Sequence, residues 1–229
     1  MKRAILMAAI VLAAPAAAQV TRADNRVPPG MVLTDDLDAR LDRFVALAQG
    51  EYVGRWPGAF AKRPEIDELP AWAVVKRVDL PQFSRVTLFQ EVREGGPTGR
   101  IVRMRIITFD TDPKRTHNLA TFYPILNFAP YARGDLDPKK LAGLSPTNLP
   151  YFGRGCQMNM IGKPGGFRIL TVPTSCVIPY PDGKSRYTGM EIGFDAAGMD
   201  FQEAAYGVDG NFQAGRLATS HFARIPAAH

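Results

Sequence analysis

Residues 85–109, RVTLFQEVREGGPTGRIVRMRIITF, predict a β-hairpin. Two runs of β-branched, aromatic and aliphatic residues, near 84–93 and 100–109, are separated by Gly95-Gly96-Pro97, which is typical of a turn between antiparallel strands. Because side chains alternate along a strand, one face of the second run combines both of its arginines with large apolar residues. That face is expected to consist of Ile101, Arg103, Arg105, Ile107 and Phe109.

Short β-rich runs of the same kind occupy most of the chain on both sides of this hairpin. Turn signals separate them, such as the glycines and proline of 162–166 and the Asp-Gly pairs at 182–183 and 209–210. Strands are predicted near 72–79, 84–93, 100–109, 119–127, 156–162, 166–172, 176–180, 185–194, 199–206 and 215–224.

The order of these runs predicts the fold class. No strand–helix–strand crossover interrupts the series, so consecutive strands are expected to pair antiparallel. A long meander loses its unpaired edges when it closes, and we therefore predict an all-β protein, a single antiparallel up-and-down β-barrel. A barrel of roughly eight to ten strands leaves room for one small ligand. A β-sandwich is the alternative.

One helix is predicted before the strands. The acidic residues at 35–36 suit the start of a helix and Gly50 suits its end. Apolar residues recur at helical spacing between them, which gives a face that can pack on the sheet as a plug or lid. This face consists of Leu37, Leu41, Phe44, Val45, Leu47 and Ala48. A further short helical turn is expected over 138–144.

The first residues predict an export signal. Lys2 and Arg3 precede the apolar run Ala4–Ala14, and 16–18 supply an A-x-A cleavage site. That run is shorter than the roughly 20 residues that cross a bilayer, and no later segment reaches this length, so no membrane span is predicted. A periplasmic or secreted protein is expected, with a signal peptide over 1–18, a flexible leader over 19–36 and a barrel domain over 37–225.

Cys156 and Cys176 are the only two cysteines. In an exported chain they are expected to form a disulfide, which would close a loop across one predicted hairpin. The alternative is a pair of free thiols, either of which could hold a ligand as a thiolate. No metal site is predicted, because the chain has 3 histidines and none has a partner at metal-binding spacing.

The charge distribution excludes some classes of function. The formal net charge is +6, but the basic residues are scattered and form no cluster, so no nucleic-acid partner is predicted. No nucleophile elbow, phosphate loop or dinucleotide fingerprint is present. A weak attraction to anionic small molecules is the most that the charge supports.

The hairpin over 85–109 carries the candidate binding residues. If Glu91, Arg103 and Arg105 point into the barrel, two guanidinium groups and a carboxylate lie among apolar neighbours. Such a cavity would suit a large apolar molecule that bears carboxylates, because arginine binds a carboxylate through two parallel hydrogen bonds. The alternative is that these residues lie on the outer face as solvated surface charges.

Several short motifs together resemble the phycobiliprotein chromophore lyases of the CpcT/CpeT type. Each is weak alone, but their order and spacing over about 37–224 make the chain similar to an exported, divergent member of that family. The motifs are Gly50-Glu51-Tyr52 after the helix, Leu88-Phe89-Gln90-Glu91, Arg103-Met104-Arg105, Gly155-Cys156 with Cys176, and Arg186-Tyr187 with Glu191.

This resemblance implies a lipocalin-like (calycin-like) barrel, often dimeric, that binds a linear tetrapyrrole (bilin) and assists its attachment to a cysteine of an acceptor protein. No cofactor is expected to be built in, and no catalytic residue is assigned. The alternatives are a non-catalytic periplasmic carrier of a small amphipathic ligand and a structural barrel without a ligand. The ligand contacts that the resemblance implies are Glu91, Arg103, Arg105, Tyr187 and Glu191.

Overall fold

The computed structural model describes residues 36–57, 68–112, 117–131, 138–172, 174–179, 185–215 and 219–226. The predicted signal peptide over 1–18 lies outside the described residues, and so does the predicted leader except for Asp36. No helix within these ranges is long and apolar enough to cross a bilayer.

The described chain consists of one helix, α1 (Leu37–Ala48), a one-turn helix, α2 (Pro138–Leu141), and twelve strands. Single 3₁₀ turns occur at Ala129–Tyr131 and Arg154–Cys156. The strands are β1 (Gly50–Pro57), β2 (Glu68–Val78), β3 (Val86–Glu94), β4 (Arg100–Thr111), β5 (Asn118–Pro124), β6 (Met158–Lys163), β7 (Gly166–Thr171), β8 (Val177–Pro179), β9 (Ser185–Asp195), β10 (Gly198–Tyr206), β11 (Phe212–Gly215) and β12 (Ser220–Arg224).

Ten of these strands close into an antiparallel barrel. From β1 to β7 each strand pairs with the next, β7 pairs with β9, β9 with β10, and β12 joins β10 to β1. The short strand β8 pairs with the first residues of β9, and the short strand β11 pairs with the last residues of β10. The predicted all-β barrel with one N-terminal helix is therefore confirmed, and the β-sandwich alternative is wrong. The helical turn expected after Pro138 is also present.

Strand β1 was not predicted, although its alternation is regular. Tyr52 and Trp56 point into the core, whereas Val53 between them is exposed. Gly54, the inward residue between the two aromatic side chains, hid this pattern. The glycine is required there, because a Cβ at this position would run into the carbonyl oxygen of His221 on β12. The two strands thus lie close together at the place where the barrel closes.

Helix α1 plugs one end of the barrel. It begins at Asp36, whose side chain accepts a hydrogen bond from the backbone N–H of Asp38 at 2.9 Å, a typical N-cap. Phe44 is fully buried, and its ring meets three rings of the strands edge-on or tilted. The ring centroids lie 5.0 Å from Phe109, 5.6 Å from Phe167 and 5.6 Å from Phe194.

A second apolar cluster lies on the outside of the barrel. Outward-facing Phe89, Met104 and Ile106 are buried there against Leu141 and Leu144 from the segment that contains α2. This explains why β3 is buried along both of its faces. The outer face of β3 and β4 is therefore covered in this region and not solvated.

Tyr52 ties the helix to the seam between β1 and β12. Its hydroxyl donates to the carbonyl of Ala48 at 2.7 Å and accepts from Arg224 Nη2 at 3.0 Å. Burial raises the pKa of Tyr52 to about 12, although the charge and the hydrogen bond of Arg224 oppose this effect. The neutral phenol is thus favoured in the folded state.

Alkaline pH is expected to destabilise the protein through Tyr52. The phenol keeps its proton up to about pH 12 when folded but releases it near pH 10 when unfolded, so its contribution is complete below pH 10 and is lost as the pH rises to 12. The loss should be about 2 to 3 kcal/mol. Denaturant unfolding at several pH values should show that the free energy of unfolding falls less steeply above pH 10 for Tyr52→Phe than for the wild type. An identical fall in the two proteins would contradict this role of Tyr52.

Candidate functional site

A cavity of about 330 Å³ lies at the end of the barrel away from α1. Its inner wall is built from residues of every strand from β4 to β10, and its mouth from the segments around residues 126 and 151–156. On β4, Phe109 contacts the helix and Arg103 lines the cavity, which separates the two ends by about 20 Å of strand. One end of the barrel is thus filled and the other is accessible.

A β-bulge decides which charged residues face this cavity. Val92 pairs with Arg103, but Arg93 pairs with Ile101, so Val102 is one extra residue on β4. Beyond the bulge, Arg103 and Arg105 point inward and line the cavity. Ile101 lies on the opposite face and packs against the outer cluster, so its predicted place beside the arginines is wrong.

The structure does not bring Glu91 together with the two arginines. Glu91 pairs across the sheet with Met104 and forms a buried ion pair with Arg93, both on the outer face. If the pairing of Arg93 with Ile101 had continued unshifted, Glu91 would lie opposite Arg103. The bulge shifts the pairing by one residue, and a shift of one residue turns a side chain to the other face of the sheet.

Arg105 is the most unusual residue of the cavity. Its side chain is only 3% exposed, and its guanidinium lies 4.3 Å over the ring of Phe122. Nε donates to Gln90 Oε1 at 2.5 Å and Nη1 contacts the sulfur of Met190 at 3.3 Å, but buried Nη2 has no partner within the part of the chain described. Burial, followed by the like charge of Arg103, lowers its pKa well below the ordinary value, and Glu203 only partly offsets this.

Arg103 is paired, in contrast. Its Nη2 forms an ion pair with Glu203 on β10, and the guanidinium lies 5.1 Å over Trp56 and 4.9 Å over Phe201. Burial alone would raise the pKa of Glu203, but the charge and hydrogen bond of Arg103, together with the charge of Arg105, hold it below its usual range. Glu203 is therefore an ionised partner of Arg103 at neutral pH.

The disulfide forms part of the cavity wall. Cys156 and Cys176 are bonded, as predicted, and both line the cavity. The bond holds the loop before β6 against the start of β8, where Ser175 Oγ also donates to the carbonyl of Gly155 at 2.6 Å. Next to it, the mouth is rimmed by apolar side chains that are exposed to solvent. These are Leu126 (75% exposed), Tyr151 (46%) and Phe152 (41%).

Tyr187 and Glu191 lie outside the cavity. On β9 the inward positions are Thr188, Met190, Ile192 and Phe194, so the two odd-numbered residues point outward. Glu191 accepts a hydrogen bond from Arg168 Nε of the neighbouring strand at 2.7 Å, on the exposed face. Of the five predicted ligand contacts, the structure places only Arg103 and Arg105 in the cavity.

Two cavity residues were not singled out from the sequence. Glu203 is the one carboxylate among the inward positions Met199, Phe201, Glu203 and Ala205 of β10, and an acidic residue in an apolar alternating set was an available signal. Thr188 is buried, and its hydroxyl has no hydrogen-bond partner among the described residues. Within the described ranges, no group of three or more His, Cys, Asp or Glu side chains could hold a metal ion.

The described chain thus forms a ten-stranded, lipocalin-like barrel with one filled end and one open cavity, mostly apolar, that contains the charges of Arg103, Arg105 and Glu203. It is similar in fold to the CRL protein of Arabidopsis, with a TM-score of 0.56 and 14% sequence identity over 82% of this chain and 97% of the CRL chain. A weaker likeness is to Rv2717c of M. tuberculosis, with a TM-score of 0.45 and 11% identity over 83% and 100% of the two chains. No family model matches the chain, and neither does any curated protein.

Proposed function

We propose that this protein binds a small amphipathic molecule with an anionic group in the open end of its barrel. The observation that carries the proposal is Arg105, a buried arginine that lines a cavity of about 330 Å³ and whose Nη2 has no hydrogen-bond partner among the described residues. Cavities of this size are at the lower end of those that hold small molecules, and their walls are mostly apolar with a few polar groups that orient the ligand.

A purely structural role for Arg105 is hard to reconcile with its surroundings. Burying a charge without a paired opposite charge is costly, and apolar residues of similar volume at such positions are often neutral or stabilising. Glu203 is the only carboxylate among the described lining residues, and it is paired with Arg103. A ligand carboxylate would supply the acceptor that Arg105 lacks.

Bilin binding in the manner of a chromophore lyase is the second candidate. Glu203 lines the cavity and would offer a carboxylate acceptor for pyrrole N–H groups, whereas Glu91 lies on the outer face. A whole linear tetrapyrrole would exceed the cavity volume of about 330 Å³, so part of it would lie at the apolar mouth. Both cysteines form the disulfide, so the attachment thiol would belong to an acceptor protein. Titration with biliverdin tests binding, and transfer to an acceptor protein tests lyase activity.

The disulfide also supports a location of the protein in an oxidising compartment. Disulfides persist mainly in oxidising compartments, and the export signal predicted over 1–18 agrees with this. We therefore propose a periplasmic or secreted carrier. A homodimer stays a prediction, which sedimentation of the purified protein would test.

Replacing Arg105 with methionine is expected to separate binding from stability. Binding of 1-anilinonaphthalene-8-sulfonate, an amphipathic anion, should weaken at least about tenfold because one charge-assisted hydrogen bond contributes roughly 1.5 to 3 kcal/mol. The melting temperature should stay level or rise, since a buried cation is replaced by an apolar chain of similar length. Fluorescence titration and thermal unfolding measure the two effects.

Arg168→Met is the matched control, because Arg168 is an exposed arginine on the outer face of β7. It should leave binding of the probe unchanged. If Arg105→Met binds the probe as tightly as the wild type does, Arg105 is not the anion-binding group. If this probe, biliverdin and smaller amphipathic anions such as decanoate all fail to bind the wild type, the proposed function is wrong.

A further inference from the structure

The number of charges in the cavity restricts the class of ligand more sharply than the volume of the cavity does. Among the described residues that line the cavity, three are ionised at neutral pH, namely Arg103, Arg105 and Glu203. Arg103 and Glu203 neutralise each other in an ion pair, which leaves the single positive charge of Arg105. One ligand anion would balance the cavity, whereas a second would lie in an apolar site without a partner charge.

Two residues that line the cavity each carry a buried polar atom without a partner among the described residues. One such atom is Nη2 of Arg105, and the other is the hydroxyl oxygen of Thr188 on β9. Both side chains are more than nine-tenths buried. A guanidinium N–H and a hydroxyl are both donors that suit a carboxylate, so one anionic group could satisfy both.

The remaining wall and the mouth are apolar. Phe122, Met158 and Met190 line the cavity beside Arg105, and Leu126, Tyr151 and Phe152 line its exposed rim. A methylene group takes a volume similar to that of a water molecule in the liquid, about 30 Å³, so a cavity of about 330 Å³ that is open at its mouth has room for about ten such groups. The polar end of a ligand would therefore lie inside and its apolar end at the mouth.

From these observations we infer that the ligand is a monocarboxylic acid with an apolar body of about ten heavy atoms, bound with its carboxylate inside against Arg105 and Thr188. This inference rests on the proposed function and restricts it to one class of ligand. It separates single carboxylates from dicarboxylates, from neutral alcohols and from larger molecules with several anionic groups.

Calorimetric titration with three ten-carbon compounds tests the inference at neutral pH. Decanoate should bind, and both decanedioate and 1-decanol should bind at least tenfold more weakly, the first because of its second charge and the second because it has none. Thr188→Val should weaken decanoate severalfold and leave 1-decanol unchanged, since valine keeps the shape and removes only an unpaired hydroxyl.

Glu203→Gln provides the converse test of the charge count. It frees the charge of Arg103, so the preference for decanoate over decanedioate should shrink. If decanedioate binds the wild type as tightly as decanoate, the single-charge inference is overturned. Equal binding of 1-decanol overturns the carboxylate contact. In the first case the broader proposal stands, and in the second the titration of Arg105→Met with 1-anilinonaphthalene-8-sulfonate decides whether it does. If no decyl compound binds while 1-anilinonaphthalene-8-sulfonate does, only the ligand class is wrong.

Discussion

Replacement of Phe44 by alanine is expected to destabilise the folded protein by about 3 to 5 kcal/mol, the largest effect of any single substitution considered for this chain. Phe44 is the residue through which α1 fills the closed end, and three aromatic side chains of β4, β7 and β9 surround it. Its removal leaves a cavity that these rings cannot collapse into, because each is fixed in the sheet. Urea unfolding followed by circular dichroism measures the loss.

Phe212→Ala is the matched control, because Phe212 is a phenylalanine on a strand but is 44% exposed. Its truncation should change the free energy of unfolding by less than about 1 kcal/mol. A loss below 1 kcal/mol for Phe44→Ala as well would mean that the helix does not hold the closed end of the barrel. The cavity at the other end should keep its affinity for anions in any Phe44→Ala protein that remains folded.

Removal of the disulfide is expected to have the second largest effect. The double variant Cys156→Ala, Cys176→Ala should lose about 3 kcal/mol of stability, since the bond closes a loop with a sequence separation of 20 residues and so restricts the unfolded chain. Affinity for an anionic ligand should fall too, because both cysteines line the cavity and the bond holds its mouth loop. Urea unfolding and fluorescence titration measure the two losses.

Treatment with a thiol reductant distinguishes the effect of losing the disulfide from the effect of replacing the two cysteine side chains. It should lower the stability of the wild type to near that of the double variant, and should leave the double variant unchanged. Equal stability of the wild type with and without the bond would show that the loop is held by its other contacts, such as the hydrogen bond from Ser175 to Gly155.

Most of the fold could be predicted from the sequence, because apolar residues alternate with a period of two along the strands and glycine, proline and Asp-Gly turns separate the strands. It failed at β1, where Gly54 takes an inward position and so breaks the apolar alternation. It also merged β11 with β12, although the two flank different parts of β10. In both cases the deciding factor is a contact with a strand that is remote in sequence, which local patterns do not contain.

The candidate site was predictable only in part, for a similar reason. Alternation placed Arg103 and Arg105 on one face, but it could not place Glu91, because the bulge at Val102 changes which residues of β3 and β4 lie opposite each other. Glu191 and Tyr187 came from the family resemblance and face outward. Glu203 could have been found by alternation, whereas its pairing with Arg103 depends on the barrel having closed.

The pairing of β1 with β12 also has a consequence for how the chain folds. Tyr52 and Arg224 are 172 residues apart, so this seam forms only after a long search by the two ends of the described barrel. Until residues 220–224 dock, β1 and β10 present open edges that can pair with other molecules. Slow refolding with concentration-dependent aggregation is therefore expected. Docking of β12 covers both open edges and so prevents this association.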